Sequence, residues 1–95
     1  LVSLLSTDHL TGLVNWKQFA EQLSASLEAR EQNHHEVCVL LLDLDDFRDT
    51  NDTYGHDLGD LLLTGVADRL RERFSEHILI TRLGGDEFAL MIDTQ

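Results

Sequence analysis

The chain has 95 residues, with 18 Asp or Glu against 7 Lys or Arg, which gives a formal net charge of −11. This charge excludes a protein that coats nucleic acid, because phosphate backbones are bound through an excess of Lys and Arg. It also disfavours direct contact with an anionic membrane surface. Apolar residues make up 42% of the chain and charged residues 26%, so we expect a folded core. The length allows one domain at most.

The single cysteine, Cys38, excludes an internal disulfide. It lies in an apolar run, so we expect a buried thiol, and its solitary state fits a reducing, cytoplasmic location. No apolar run approaches the roughly 18 residues of a membrane span, so a membrane anchor would have to lie in an upstream domain. The chain opens on Leu1 rather than Met. We therefore expect a fragment, in which residues 1–7 end an upstream linker or helix and residues 8–95 form part of one domain.

The first half of the chain predicts a helix followed by a strand. The helix covers about residues 14–30, with Asn15 as a candidate N-cap. Its apolar residues share one face, which comprises Trp16, Phe19, Ala20, Leu23 and Leu27. The continuous apolar run 37–42 has the length of a strand. Such a run predicts a central strand that is covered on both faces.

The second half predicts an irregular segment, a helix and a hairpin. Residues 43–57 are polar, and a helix follows over about residues 58–74. Its buried side is predicted to comprise Leu58, Leu62, Val66 and Leu70, with Leu61 beside them. Two β-rich runs, 78–83 and 87–92, meet at Gly84-Gly85, which predicts a hairpin whose glycines supply positive φ. The order α, β, α, β, β favours an α+β fold with helices packed on a mainly antiparallel sheet.

Two aspartates are predicted to meet at one edge of this sheet. Asp43 ends the predicted central strand and Asp86 follows the two glycines, so their carboxylates come together if the hairpin pairs beside that strand. Carboxylates brought this close repel each other unless a cation lies between them. Hard oxygen ligands with few imidazoles indicate Mg²⁺ or Mn²⁺. The residues alone leave a plainer alternative open, in which both aspartates are solvated strand ends.

The two glycines also admit a functional interpretation. Missing side chains at Gly84 and Gly85 let a phosphate approach the backbone, and Asp86 and Glu87 follow at once. An acidic protein can hold a nucleoside triphosphate only if metal ions neutralise both sides, which connects the net charge to the carboxylate pair. The acidic segment does not follow the EF-hand pattern, and the five histidines lack the spacing of zinc ligands.

Read together, these segments resemble the catalytic domain of diguanylate cyclases, the GGDEF family. Four motifs in chain order carry the resemblance: Asp8-His9-Leu10-Thr11-Gly12-Leu13, Asp43-Leu44-Asp45-Asp46-Phe47, Asn51-Asp52-Thr53-Tyr54-Gly55-His56 with Gly59-Asp60, and the signature Gly84-Gly85-Asp86-Glu87-Phe88. The resemblance implies condensation of two GTP molecules into cyclic di-GMP with release of pyrophosphate, on a fold like the palm of nucleotide cyclases, truncated here after the signature hairpin. Since each domain would hold one GTP, it also implies catalysis by a homodimer, with a sensor domain upstream.

The resemblance also implies roles for individual residues. The ligands of the divalent ion would be Asp43, Asp86, Glu87 and the backbone carbonyl of Leu44. The substrate-binding residues would be His56, Gly84 and Gly85, together with Asn51 and Asp60, whose amide and carboxylate match the acceptor and donors of a guanine edge. The catalytic residues would be Arg48, which stabilises charge on the phosphates, and Asp86, which activates the ribose 3′-hydroxyl for attack on the α-phosphate of the facing nucleotide.

Two departures from the family pattern modify these expectations. Arg48 stands where the family usually has lysine, which keeps the charge but exchanges a compact ammonium for a planar fork. Ser75 and Ile78 replace the Arg and Asp of the family's product-inhibition motif, so we predict that cyclic di-GMP does not bind tightly there; a calorimetric titration showing submicromolar affinity would refute this. Two other interpretations stay open, a non-catalytic GTP-binding or regulatory module and a generic α+β interaction domain.

Overall fold

The structure, a computed structural model, describes residues 7–33, 36–74 and 78–94. Its elements in chain order are α1 (Trp16–Asn33), β1 (Glu36–Asp43), α2 (Phe47–Tyr54), α3 (His56–Arg73), β2 (Leu79–Gly84) and β3 (Glu87–Thr94). The strands form one antiparallel sheet in the order β1-β3-β2. The predicted α+β fold and its hairpin are confirmed. Except for Thr7, the predicted linker lies outside the described residues, and so does Ser75.

α1 begins where the sequence predicts, because Asn15 caps it. The side-chain oxygen of Asn15 accepts a hydrogen bond from the backbone N–H of Gln18 at 2.9 Å. Phe19 is buried against β3. Trp16 and Leu27 were predicted to share this packed face, but they are 52% and 43% exposed. The packed stripe of α1 is therefore narrower than its apolar residues suggest.

α3 packs on the opposite side of the sheet, through a different face from the predicted one. Its buried residues are Gly59, Leu63 and Ala67, whereas Leu58, Leu61 and Leu62 are exposed and Val66 and Leu70 are half-buried. The prediction chose the helix face with more leucines and was wrong, because the buried face lies part of a turn away from it. Small residues on either side of Leu63 allow a close approach of the helix, and this packing outweighs the leucine count.

α2 lies within the segment that we predicted to be irregular, so that prediction was wrong. Phe47 is its single buried residue in eight, and Phe47 and Tyr54 are its only apolar residues, which is too few for the sequence pattern alone to indicate a helix. It begins after Asp46, which has a left-handed φ of 58°, and it ends at Gly55, with φ 93° and ψ 162°. α3 starts at the next residue, so Gly55 alone turns the chain between the two helices.

β1 is an outer strand in the part of the sheet that the structure describes, not the central strand that its apolar run predicts. Residues 39–42 are 39–71% exposed, and the highest value is that of Leu41. Cys38, predicted to be buried, is also exposed. The physical reason is that the helices pack their buried residues mainly over β2 and β3, so no described element covers β1 fully.

Candidate active site

The register of the sheet places the end of β1 against the signature turn. Asp43, the last residue of β1, pairs with Glu87, the first residue of β3. The next backbone N–H, that of Leu44, donates a hydrogen bond to the carbonyl of Asp86 at 3.1 Å. The side chains of Asp43 and Asp86 lie within hydrogen-bonding reach of each other. The structure thus brings the two aspartates together at the sheet edge where the sequence places them.

These carboxyl groups repel each other when both are charged. The negative charge of Asp86 raises the pKa of Asp43 above its ordinary value of 3.8, and a hydrogen bond to Asp86 adds to the effect. Slight desolvation and the more distant charges of Glu87 and Asp45 act in the same direction. Asp43 is exposed, so water screens part of this repulsion. The site therefore concentrates negative charge that a bound cation would neutralise.

The donor set at this edge fits a magnesium ion. Asp43 and Asp86 are hard oxygen ligands, and Mg²⁺ is commonly held by one or two carboxylates while water and substrate phosphates complete its shell. In the described part of the chain, three or more His, Cys, Asp or Glu side chains never gather closely enough to form a complete metal cage. The two carboxylates therefore supply only part of the ligand shell that such an ion requires.

The hairpin turn differs from the prediction in its position and its backbone. Gly84 pairs with Glu87, so the two turn residues are Gly85 and Asp86, and the register shifts between Arg82 and Gly84. Among the described glycines, positive φ occurs at positions 12 and 55 and not in this turn. A Cβ atom at either signature glycine would meet nothing within 4 Å. The glycines therefore leave open space beside Asp86, and the expectation of positive φ was wrong.

A cleft of about 380 Å³ lies between this turn and the helices α2 and α3. Its lining consists of Phe47, Arg48, Asn51, Asp52, His56, Gly85 and Asp86. Five of these are residues that the sequence selected for catalysis or substrate binding. The helix α2, which the sequence did not predict, supplies the side of the cleft that faces the hairpin. A guanidinium, an amide, an imidazole and two carboxylates thus surround one cavity.

The remaining predicted site residues lie outside the lining of this cleft. Asp60 is exposed on the second turn of α3, and Gly84 is exposed at the end of β2. Glu87 is exposed at the start of β3, and Leu44 packs its side chain against the core. Glu87 still contributes negative charge to Asp43. Their roles in binding a metal or a substrate stay predictions.

Asn51 occupies an unusual position in the cleft. It lies in the last turn of α2, and its backbone carbonyl accepts a hydrogen bond from Gly55 at 2.8 Å. Its side-chain oxygen is buried and has no hydrogen-bond partner among the described residues. Buried polar atoms are nearly always paired in native proteins, so this oxygen is an exception to the usual pattern.

The sequence analysis missed an ion pair that supports the signature turn. Arg82 contacts Asp8 with 3.3 Å between Nη2 and Oδ1, and it donates a second hydrogen bond to the carbonyl of Gly85 at 3.2 Å. Burial would raise the pKa of Asp8, but hydrogen bonds from the side chain and backbone of Thr11 and the charge of Arg82 outweigh burial and lower it. The Asp-x-x-Thr spacing could have revealed the local turn. Nothing local to either residue indicates the Arg82 contact, because 74 positions separate the partners.

Comparison with known proteins identifies the family. The family described as "Diguanylate cyclase, GGDEF domain" matches residues 5–95. The chain is 41% identical over its whole length to the bifunctional diguanylate cyclase/cyclic di-GMP phosphodiesterase MucR of Pseudomonas aeruginosa. The chain belongs to the GGDEF family. As a GGDEF domain it is also 39% identical, over 90% of its length, to an uncharacterised membrane protein of Staphylococcus aureus strain USA300.

The fold agrees with that of a solved GGDEF domain. The whole chain superposes on the GGDEF domain of DgcB from Caulobacter crescentus, solved in complex with c-di-GMP, with a TM-score of 0.92 and 32% identity. The chain spans 56% of that DgcB chain, 14% of MucR and 24% of the staphylococcal protein. Both curated relatives are therefore much longer than this GGDEF chain. None of its described helices is long and apolar enough to cross a bilayer.

Proposed function

We propose that this GGDEF domain takes part in the condensation of two GTP molecules into cyclic di-GMP with release of two pyrophosphates. The observation that carries the proposal is the cleft in which Asp86 shares a cavity with Arg48, Asn51 and His56 while lying beside Asp43. Two repelling carboxylates, one of which lines a polar cavity, are typical of a functional site. The homology to diguanylate cyclases supports the same reaction class.

The residues of the cleft suit distinct steps of this reaction. The amide of Asn51 provides a hydrogen-bonding group for the guanine edge. The carboxylate of Asp60, nine positions further along the chain, provides a second one. Arg48 is exposed at the cleft and offers five N–H donors to triphosphate oxygens. The open backbone at Gly85 leaves room for a phosphate to pass close to the turn. The carboxylate of Asp86 accepts the proton of the ribose 3′-hydroxyl.

The proposed site also includes a magnesium ion, or a manganese ion in its place. Asp43 and Asp86 would hold the ion, with the backbone carbonyl of Leu44 and the Glu87 carboxylate as further oxygen ligands. When bound, the ion supplies Lewis acidity and neutralises the charge of the triphosphate. Without it, the acidic chain, with a net charge of −11, repels a polyanionic substrate.

Condensation also requires a second domain. One cleft presents one Asn51, one Arg48 and one Asp86, so it binds a single nucleotide, whereas the product contains two. Two GGDEF domains that face each other bring the 3′-hydroxyl of one nucleotide to the α-phosphate of the other. We propose a homodimer in the cytoplasm, where GTP is available, under the control of an upstream domain. The length of MucR relative to this chain supports further domains, and the membrane protein of Staphylococcus aureus supports attachment through one of them.

The proposal is tested with the full-length protein, GTP and Mg²⁺. We expect cyclic di-GMP to form, and we expect Asp86→Ala to abolish it because both the proton acceptor and an ion ligand are lost. Asp68→Ala is the matched control, since Asp68 is an exposed aspartate on α3 away from the cleft. GTP binding without product in the unaltered protein would contradict the cyclase proposal and would indicate a regulatory GTP-binding module. Absence of Mg²⁺-dependent nucleotide binding would exclude both.

A further inference from the structure

A second residue controls where the side chain of Asn51 lies. Gly59 is buried in the first turn of α3, directly beside the amide of Asn51. A methyl carbon added at Gly59 would lie 1.8 Å from Oδ1 of Asn51 and 2.9 Å from its Cγ. Real carbon atoms do not approach an oxygen this closely, so the amide of Asn51 and any side chain at position 59 cannot occupy the same space.

The atom of Asn51 that lies nearest to Gly59 is its unpaired side-chain oxygen. The oxygen is buried and has no hydrogen-bond partner among the described residues, although Asn51 lines the cleft. Its confinement against the backbone at Gly59 fixes the amide plane without using its hydrogen-bonding capacity. The residue after Gly59 is Asp60, the other group expected to contact guanine. The bare backbone at Gly59 thus allows the amide to lie next to the carboxylate-bearing turn of α3.

We infer that Gly59 is a positioning residue for base recognition, which acts by leaving room for the amide of Asn51 in the guanine subsite. The inference rests on the proposed function, because it presumes that the cleft binds a guanine nucleotide. A side chain at position 59 displaces the amide, whose flexible side chain moves more readily than the backbone of either helix. The effect of substitution therefore falls on recognition of the base more than on the fold.

The test measures binding of non-reacting analogues of GTP and ATP, with Mg²⁺, to the full-length protein. Gly59→Ala should weaken binding of the GTP analogue by about tenfold, the loss expected when a hydrogen bond to the bound base is broken. We expect the unaltered protein to bind the ATP analogue weakly and Gly59→Ala to bind it equally weakly, so the preference for guanine falls. Gly65→Ala is the matched control: it lies on the same helix, and its added methyl group meets nothing within 4 Å. This control should bind both analogues as the unaltered protein does.

A double-mutant cycle separates positioning from a general packing defect. In an Asn51→Ala background the obstructing amide is gone, so Gly59→Ala should cause no further loss of GTP binding, and the double variant should melt close to the Asn51→Ala protein. Unchanged binding in Gly59→Ala or in Asn51→Ala would overturn the inference. A loss of equal size in both backgrounds would also overturn it, since Gly59 would then act independently of Asn51. If the unaltered protein binds no guanine nucleotide, the proposed function itself fails. That result differs from one in which the unaltered protein binds the GTP analogue and Gly59→Ala binds it equally well.

Discussion

The backbone holds Asp43 and Asp86 next to each other. The pairing of Asp43 with Glu87 and the hydrogen bond from Leu44 to Asp86 fix their spacing. The folded state therefore keeps two carboxylates in contact against their repulsion, which raises the pKa of Asp43. This repulsion reduces the stability of the fold slightly, and a bound cation would relieve it.

This leads to a prediction for Asp43→Asn. In the absence of divalent ions at neutral pH, the melting temperature of the variant should equal or exceed that of the unaltered protein, because the repulsion is gone. Mg²⁺ should raise the melting temperature of the unaltered protein and leave that of the variant unchanged. Calorimetry of both proteins with and without Mg²⁺ measures this. A variant that melts much lower without the ion would show that Asp43 stabilises the fold directly.

Gly55 matters for the conformation of its backbone. With φ 93° and ψ 162°, it adopts a conformation that is almost confined to glycine, and it links α2 to α3. Gly55→Ala should lower the free energy of unfolding by about 1–3 kcal/mol, although its methyl group would meet no neighbour within 4 Å. Denaturant titration measures the change, with Gly65→Ala as a helical control expected to be neutral or stabilising. Equal effects of the two substitutions would contradict a backbone origin.

At the scale of elements, the opening turn and the hairpin support each other. Asp8 accepts two hydrogen bonds from Thr11 and pairs with Arg82, which also contacts the carbonyl of Gly85 in the signature turn. The residue after Gly85 is Asp86. The opening motif thus contributes to the site indirectly, because it anchors the arginine that contacts the turn next to Asp86.

The pKa of Asp8 gives this support a testable pH dependence. Because its folded pKa is lowered, the charged carboxylate stabilises the fold fully above its ordinary value of 3.8, and the contribution is lost as the pH falls through the lowered pKa. Asp8→Asn should therefore cost about 1–2 kcal/mol at neutral pH and progressively less in acid. Unfolding titrations across the pH range measure the difference, with the exposed Glu21→Gln on α1 as a control. A difference that does not change with pH would contradict the assignment.

At the scale of the whole molecule, the described sheet has an open apolar side. β1 is one of the two outer strands of the described sheet, and Leu41 is 71% exposed there. Exposed, apolar edge strands are prone to pair with other chains. The isolated 95-residue chain should therefore be poorly stable or self-associate.

Sedimentation velocity over a range of concentrations measures this association. Leu41→Lys should shift the chain toward monomer, because a charged side chain on an edge strand opposes pairing. An exposed residue away from the edge provides the control, and Lys17→Gln on α1 serves for it. A monomeric chain that melts cooperatively at all concentrations would contradict the prediction.

The parts of the fold that the sequence predicts are those set by strong local signals. Asn15 marks a helix start, and the β-rich runs around the two glycines mark a hairpin, which in turn predicts the meeting of Asp43 and Asp86. Three features depend on packing between distant segments and escape local patterns. α2 has one buried residue, the inward face of α3 is chosen by small residues, and Arg82 reaches Asp8 across most of the chain. The contact of Gly59 with Asn51 belongs to the same class, since it exists only after two helices pack.

The most direct test of the account is binding of a non-reacting GTP analogue to the full-length protein with and without Mg²⁺. We expect binding only with Mg²⁺, and we expect it to be lost in both Asp43→Asn and Asp86→Asn but retained in Asp68→Asn, whose aspartate lies on the surface of α3. Binding that persists in both site variants, or that does not depend on the ion, would contradict a shared cation site at the junction of β1 and the signature turn.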